Sequence, residues 1–120
     1  DAGQLQDLGY LMDGPGLRVV HPGDTVPLAA LDEALHATAP DLLLAPVNGR
    51  DAARRADGVP GNMTLDEAIA FGRRISARAL VPHHWGMFDF NTIPPETIDR
   101  ATAPIPIHRP VPGERTAWTV

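Results

Sequence analysis

Two places in this 120-residue sequence carry side chains that could hold a cation. In Val81-Pro82-His83-His84-Trp85-Gly86-Met87-Phe88, adjacent histidines follow an apolar run and a proline, and a glycine follows soon after. Upstream, Val19-Val20-His21-Pro22-Gly23-Asp24-Thr25 breaks an apolar run at Pro-Gly and presents a carboxylate. An imidazole and a carboxylate on strand-terminal loops form part of a metal-site pattern: His84 as a neutral nitrogen ligand and Asp24 as an oxygen ligand. The plainer reading of Asp24 is a turn carboxylate bonding its own backbone. That of His84 is a ring packed at a strand end. His21 and His83 could orient ligands from behind, although simple strand-end polarity suits His21 slightly better. His36 and His108 lie in no motif.

Other residues suit binding. Asn48-Gly49-Arg50 joins an amide, a flexible backbone and a guanidinium, a set able to hold a phosphate or carboxylate through a bidentate fork. A turn with a solvated arginine fits equally well. Gly61-Asn62-Met63-Thr64 opens a helix whose free amides attract anions, with capping as the main task of Thr64. Ser76 is the sole serine and falls within the expected helix, so no serine triad is available. No Walker-type glycine loop occurs.

The elements that must position these groups follow from periodicity. Leu8–Met12 and Leu17–His21 read as a β-hairpin around Asp13-Gly14-Pro15-Gly16. Residues 29–37 have helical composition, with Leu31 and Leu35 on one face. Asp41–Ala45 is expected as a buried strand, and 51–61 as a long irregular connection. Thr64-Leu65-Asp66-Glu67 is a capping box. It is followed by Leu65, Ala68, Ile69, Gly72 and Ile75 at helical spacing. Ala79–Pro82 reads as a buried strand, Pro95–Arg100 as a short helix, and Ile105–Ile107 and Thr116–Val120 as closing strands. The alternation indicates an α/β layer in a single domain spanning residues 1–120.

Composition narrows the function classes. Thirteen prolines punctuate the periodic segments, and the apolar fraction of 43% suits a globular domain. A net charge of −5 argues against nucleic-acid binding through phosphate neutralisation. No apolar run approaches a membrane span. The chain has no cysteine, hence neither disulfide nor thiolate ligand, and a reducing cytoplasm is the expected location. It opens without methionine, so a processed or excised piece is expected.

Five segments in register resemble one family: Gly9-Tyr10-Leu11-Met12, His21-Pro22-Gly23-Asp24-Thr25, Pro46-Val47-Asn48-Gly49-Arg50, Gly61-Asn62-Met63-Thr64 and Pro82-His83-His84-Trp85-Gly86-Met87-Phe88. Over roughly residues 8–92 the chain resembles the L-ascorbate-6-phosphate lactonase-like branch of the metallo-β-lactamase superfamily. The resemblance implies an αββα sandwich with manganese or zinc at the sheet edge. Asp24 and His84 would be the metal ligands and the catalytic pair, with Asn48, Arg50, Asn62 and His83 near the substrate. It implies hydrolysis, in which metal-bound hydroxide attacks a lactone, ester or phosphoester, with a phosphorylated sugar acid as the matching substrate.

The chain departs from that family by lacking its His-x-His-x-Asp-His motif and the histidine before the Gly-Tyr strand. The expected fold is therefore the C-terminal half of the sandwich, with an incomplete metal site and one bare sheet face. That face would meet a missing N-terminal half, another copy or a second polypeptide. Two alternatives stand beside this reading: a non-catalytic binding module for a phosphorylated or carboxylated small molecule, and an independent small α/β protein with a phosphate site.

Overall fold

Pro15 and Gly16 turn the chain back on itself, with Gly16 at φ 74°, a region only glycine enters without strain. In the computed structural model, which describes residues 7–119, this turn joins β1 (Tyr10–Gly14) to an antiparallel β2 (Leu17–His21), with Gly14 opposite Leu17 and Tyr10 opposite His21. The chain then crosses through α1 (Ala29–Leu35) to β3 (Leu42–Pro46), and through α2 (Ala52–Ala56) and α3 (Leu65–Arg74) to β4 (Ala79–His83). β2, β3 and β4 run parallel, so the sheet is mixed with order β1-β2-β3-β4. A short α4 (Pro95–Asp99) follows. The expected α/β class holds.

Helix α3 covers one face of the sheet. Both bonds of its capping box are present: the Glu67 amide donates to Thr64 Oγ1 at 3.2 Å, and the Thr64 amide donates to Glu67 Oε2 at 2.9 Å. Val20, Leu43 and Leu80 pair across three strands and pack with Ala68, Phe71 and Ile75 in one core cluster. Gly72 lets helix and sheet approach closely, because a Cβ there would stand 2.8 Å from Ile105 Cδ1 and 3.3 Å from Leu43 Cδ2. Phe71 is fully buried although the expected helical stripe omitted it.

The reverse face is also apolar. Met12, Val19, Leu42 and Ala79 are register partners along it, and Tyr10, Met12 and Leu17 are 58%, 46% and 40% exposed. Apolar area lost from water is worth roughly 25 cal/mol per Å², so the β1–β2 end of this stripe is a place where burial would still be favourable, whereas Ala79 on β4 is already buried.

Several elements differ from expectation. β1 lies two residues later, β3 extends to Pro46 and β4 to His83, and α1 stops at Leu35. The 51–61 stretch is not irregular throughout: Asp51 caps α2 by accepting the Arg54 amide at 2.8 Å. Ser76 lies in the turn just past α3, at φ 58°, rather than inside the helix. Residues 105–107 form a single parallel bridge, Leu80 to Ile107, rather than a strand. Pro106 accepts from the Leu80 amide but has no N–H to continue a ladder. Residues 116–119 form no strand, and Val120 lies outside the described residues.

The Arg50 guanidinium grips the Glu67 carboxylate through Nη1–Oε2 and Nη2–Oε1 contacts of 2.5 and 2.6 Å. That fork, helped by the Thr64 amide, holds the carboxyl at about 2 against its ordinary 4.5. Solvent reaches the pair, which limits its worth. Thr64→Ala is expected to cost about 1 kcal/mol, read as a lower urea midpoint. Because the unfolded chain takes up the Glu67 proton first, the stability from this carboxylate is complete above 4.5 and is lost as pH falls toward about 2. Glu67→Gln should remove that part of the acid dependence in a pH series of urea melts.

Candidate functional site

Parallel pairing brings three strand ends to one edge. Pro46 lies opposite His83, and β2 ends beside them at His21. The loops leaving these strands are stitched together by backbone bonds. Gly49 donates to the Met63 carbonyl at 2.9 Å, Asn62 to that of Gly49 at 3.0 Å, and Met63 to that of Thr25 at 2.9 Å. The edge is thereby a built surface rather than loose loops.

Asp24 and His84 meet there, with Nε2 to Oδ1 at 3.3 Å. Each side chain is delivered by a constrained backbone. The Gly23 amide donates to His21 Nδ1 at 3.1 Å, and Gly23 sits at φ 74° with the Leu8 carbonyl where a Cβ would be, 2.5 Å away. His21 thus shapes the turn that presents Asp24. His84 itself is left-handed at φ 61°, a costly conformation for a residue with a Cβ and one that clusters at functional sites.

Behind the pair runs a chain of amides. Asn62 Nδ2 lies 3.5 Å from His84 Nδ1 and donates to Asn48 Oδ1 at 3.0 Å. Asn48 Nδ2 donates to Asn91 Oδ1 at 2.8 Å, and Arg54 Nη1 donates to the same oxygen at 2.9 Å. Asn48 is 1% exposed and Asn62 6%. In front lies a pocket of about 610 Å³, with Asp24, Asn48, Asn62, His84 and Asn91 on its polar side and Leu28, Met87 and Phe88 on its apolar side.

Of the residues singled out from sequence, Asp24, His84, Asn48 and Asn62 share this pocket. Arg50 does not: its fork is turned to Glu67, with a further bond from Nη1 to the Asn62 carbonyl at 3.0 Å, and it lines a neighbouring cavity. His83 lies behind, stacked on His21 at 4.8 Å between centroids and edge-on to His84 at 4.8 Å. Burial first, then the neighbouring His84 and His21, push the His83 ring down to about 4 from its ordinary 6.5, so it is neutral in this setting. Its Nε2 is buried without a partner. Arg54 and Asn91 belong to the site but were not anticipated. Arg54 stands three residues after its partner Asp51, a local cue, whereas Asn91 reaches Asn48 only through the fold.

A carboxylate oxygen and an imidazole nitrogen are apt donors for zinc or manganese. Two donors are too few, because zinc sites generally use at least three protein ligands. Among the described residues no group of three or more His, Cys, Asp or Glu is placed to hold a metal ion. The donors present fit part of a metal site, not a whole one.

The sequence matches the family model described as "Beta-lactamase superfamily domain" over residues 3–85. No curated protein matches it. Among solved structures the chain is similar to a metallo hydrolase of the hyperthermophilic archaeon Ignicoccus hospitalis, at 20% identity and TM-score 0.68, covering 93% of this chain and 46% of that one. A Parabacteroides distasonis protein, described as a candidate metal-dependent hydrolase, is similar at 26% identity and TM-score 0.56, with coverage of 84% and 39%. A metallo-β-lactamase-fold protein of Bacillus subtilis is similar at 15% identity and TM-score 0.57, with coverage of 85% and 40%. The chain spans less than half the length of each of these proteins.

Truncating the buried hub should be severe. Asn48→Ala leaves the buried Asn62 amide short of a partner, which is expected to cost about 1–3 kcal/mol, while the half-buried Asn91 keeps its bond from Arg54. Chemical denaturation of the variant checks this, with Asp24→Ala, an exposed position, as the near-neutral comparison.

Proposed function

The chain belongs to the metallo-β-lactamase superfamily, and we propose that it supplies one wall of a metal-dependent hydrolytic site. The observation that carries this reading is the convergence of Asp24 and His84 at 3.3 Å on the edge where the parallel strands end. A divalent cation, manganese or zinc, would supply Lewis acidity and lower the pKa of water.

The chain's own residues do the remaining work. Asp24 and His84 contribute two donors. Asn62 holds His84 in place, and Asn48 holds Asn62. Leu28, Met87 and Phe88 also line the pocket and, although half-exposed, offer apolar surface to the carbon skeleton of a small substrate. A lactone or ester would need no guanidinium clamp in this pocket. A phosphorylated sugar acid, the substrate type of the lactonase-like branch, would need Arg50 to leave Glu67.

The remaining donors come from outside these residues, from an N-terminal half of the same fold or from another chain. The same half would cover the apolar reverse face, since the two sheets of such a sandwich lie about 10 Å apart. With no cysteine to oxidise, the reducing cytoplasm suits the protein. The shortage of donors also favours a second reading, a binding module that retains the fold without turnover.

Metal analysis of the chain, alone and joined to a half carrying His-x-His-x-Asp-His, tests the proposal. The joined protein should retain a divalent metal and hydrolyse a lactone or ester. Asp24→Ala and His84→Ala should each lower kcat/KM by at least about 100-fold, the upper end of what even outer partners of a metal ligand cost. No bound metal in the joined protein, with Asp24→Ala inert, would discard the enzyme. Retained binding of a small carboxylic acid would then leave the module reading.

A further inference from the structure

We propose that Arg54 and Asn91, acting through Asn48 and Asn62, decide which ring nitrogen of His84 carries its proton. One group at the end of the chain of amides cannot reverse. A guanidinium has only donors, and Arg54 spends them on three acceptors: the Asp51 carboxylate at 2.7 Å, the Asn48 carbonyl at 2.9 Å and the Asn91 side chain at 2.9 Å. Asn91 must therefore turn its oxygen toward Arg54. Asn48 shares that oxygen and must offer its NH2, which turns its own oxygen toward Asn62. Asn62 must in turn offer its NH2, and the same nitrogen faces His84 Nδ1 at 3.5 Å. Flipping any one amide would set oxygen against oxygen or N–H against N–H at hydrogen-bond distance.

A donor facing Nδ1 makes that nitrogen the acceptor. In the neutral ring the proton then sits on Nε2, 3.3 Å from Asp24 Oδ1, as a donor to the carboxylate. The number of protons is unchanged; only their place is decided. Burial makes the decision firm: Asn48 and Asn62 are 1% and 6% exposed, so water cannot repair a mismatched amide. Arg54 and Asn91 are positioning residues, since neither touches the His84–Asp24 pair.

One consequence concerns any cation that takes Nε2. Ligation there would need Nε2 free of its proton. Nδ1 must then gain one, against the Asn62 donor, or the whole chain must reverse up to a guanidinium that cannot accept. In the arrangement seen here the amide chain opposes ligation through Nε2, and a site completed by further donors must overcome that bias. This holds whether or not the pocket hydrolyses anything.

The test reads the ring nitrogens directly. In 15N-labelled, chelator-treated protein at about pH 8, two-bond proton–nitrogen correlations distinguish protonated from bare imidazole nitrogens. Wild-type His84 should show a protonated Nε2 and a bare Nδ1. His36 provides an internal reference of opposite sense, because its Nδ1 faces the Glu33 carbonyl at 2.8 Å. Arg54→Leu and Asn91→Ala should each move both His84 nitrogens toward averaged positions. Arg54→Lys, still an obligate donor, should keep the wild-type pattern. Asn62→Asp should invert it, placing the proton on Nδ1, while His36 stays unchanged throughout. A wild-type His84 protonated on Nδ1, or already averaged, overturns the proposal even if every variant fails to fold. So does an Arg54→Leu protein that folds and leaves the His84 pattern intact.

Discussion

The site depends on one buried amide. Asn48 can be withdrawn from water only because its oxygen and nitrogen both find partners, and those partners come from Asn62 and Asn91 in two separate loops. An unpaired buried amide costs on the order of 1–3 kcal/mol, enough to fix where those loops lie. Arg54 adds a third attachment by donating to the Asn48 carbonyl and to Asn91. The pocket wall is therefore a consequence of satisfying polar groups at the end of β3. His84 inherits its orientation from that wall.

The two faces of the sheet are unequal. One is closed by α3, with Gly72 permitting close approach and Phe71 filling the space between strands and helix. The other carries the apolar line from Tyr10 and Met12 through Val19 and Leu42, and it ends at the stacked His21 and His83. The stripe and the two-donor site would both follow if the chain supplies one part of a larger sandwich, as proposed above. A covering layer on the reverse face would reach the edge where Asp24 stands. Structural completion and chemical completion are therefore proposed to come from one source.

Reading along the chain, some features need only neighbours. The hairpin turn, the capping box at Thr64 and Glu67, and the stop of α3 before β4 are local decisions of turn and cap chemistry, and they sit where the residue types require. Pro104, Pro106, Pro110 and Pro112 likewise forbid a full closing strand, and only the Leu80–Ile107 bridge forms there. Asp24 and His84 were legible as strand-end donors because a Pro-Gly break and a Pro-His-His ending are themselves local patterns.

Pairing across distance is another matter. That Arg50 turns to Glu67, that His83 loses its solvent behind His21, and that Asn91 belongs to the site at all are set by parallel register and loop stitching. Residue types and spacing sufficed for the α/β class and for naming Asp24 and His84 as candidates, since these depend on chemistry carried by single residues and short runs. Only the tertiary structure could decide which donors face each other and which are spent on ion pairs. Hydrogen bonds and burial are properties of pairs and surroundings, and the chain brings those together only when it folds.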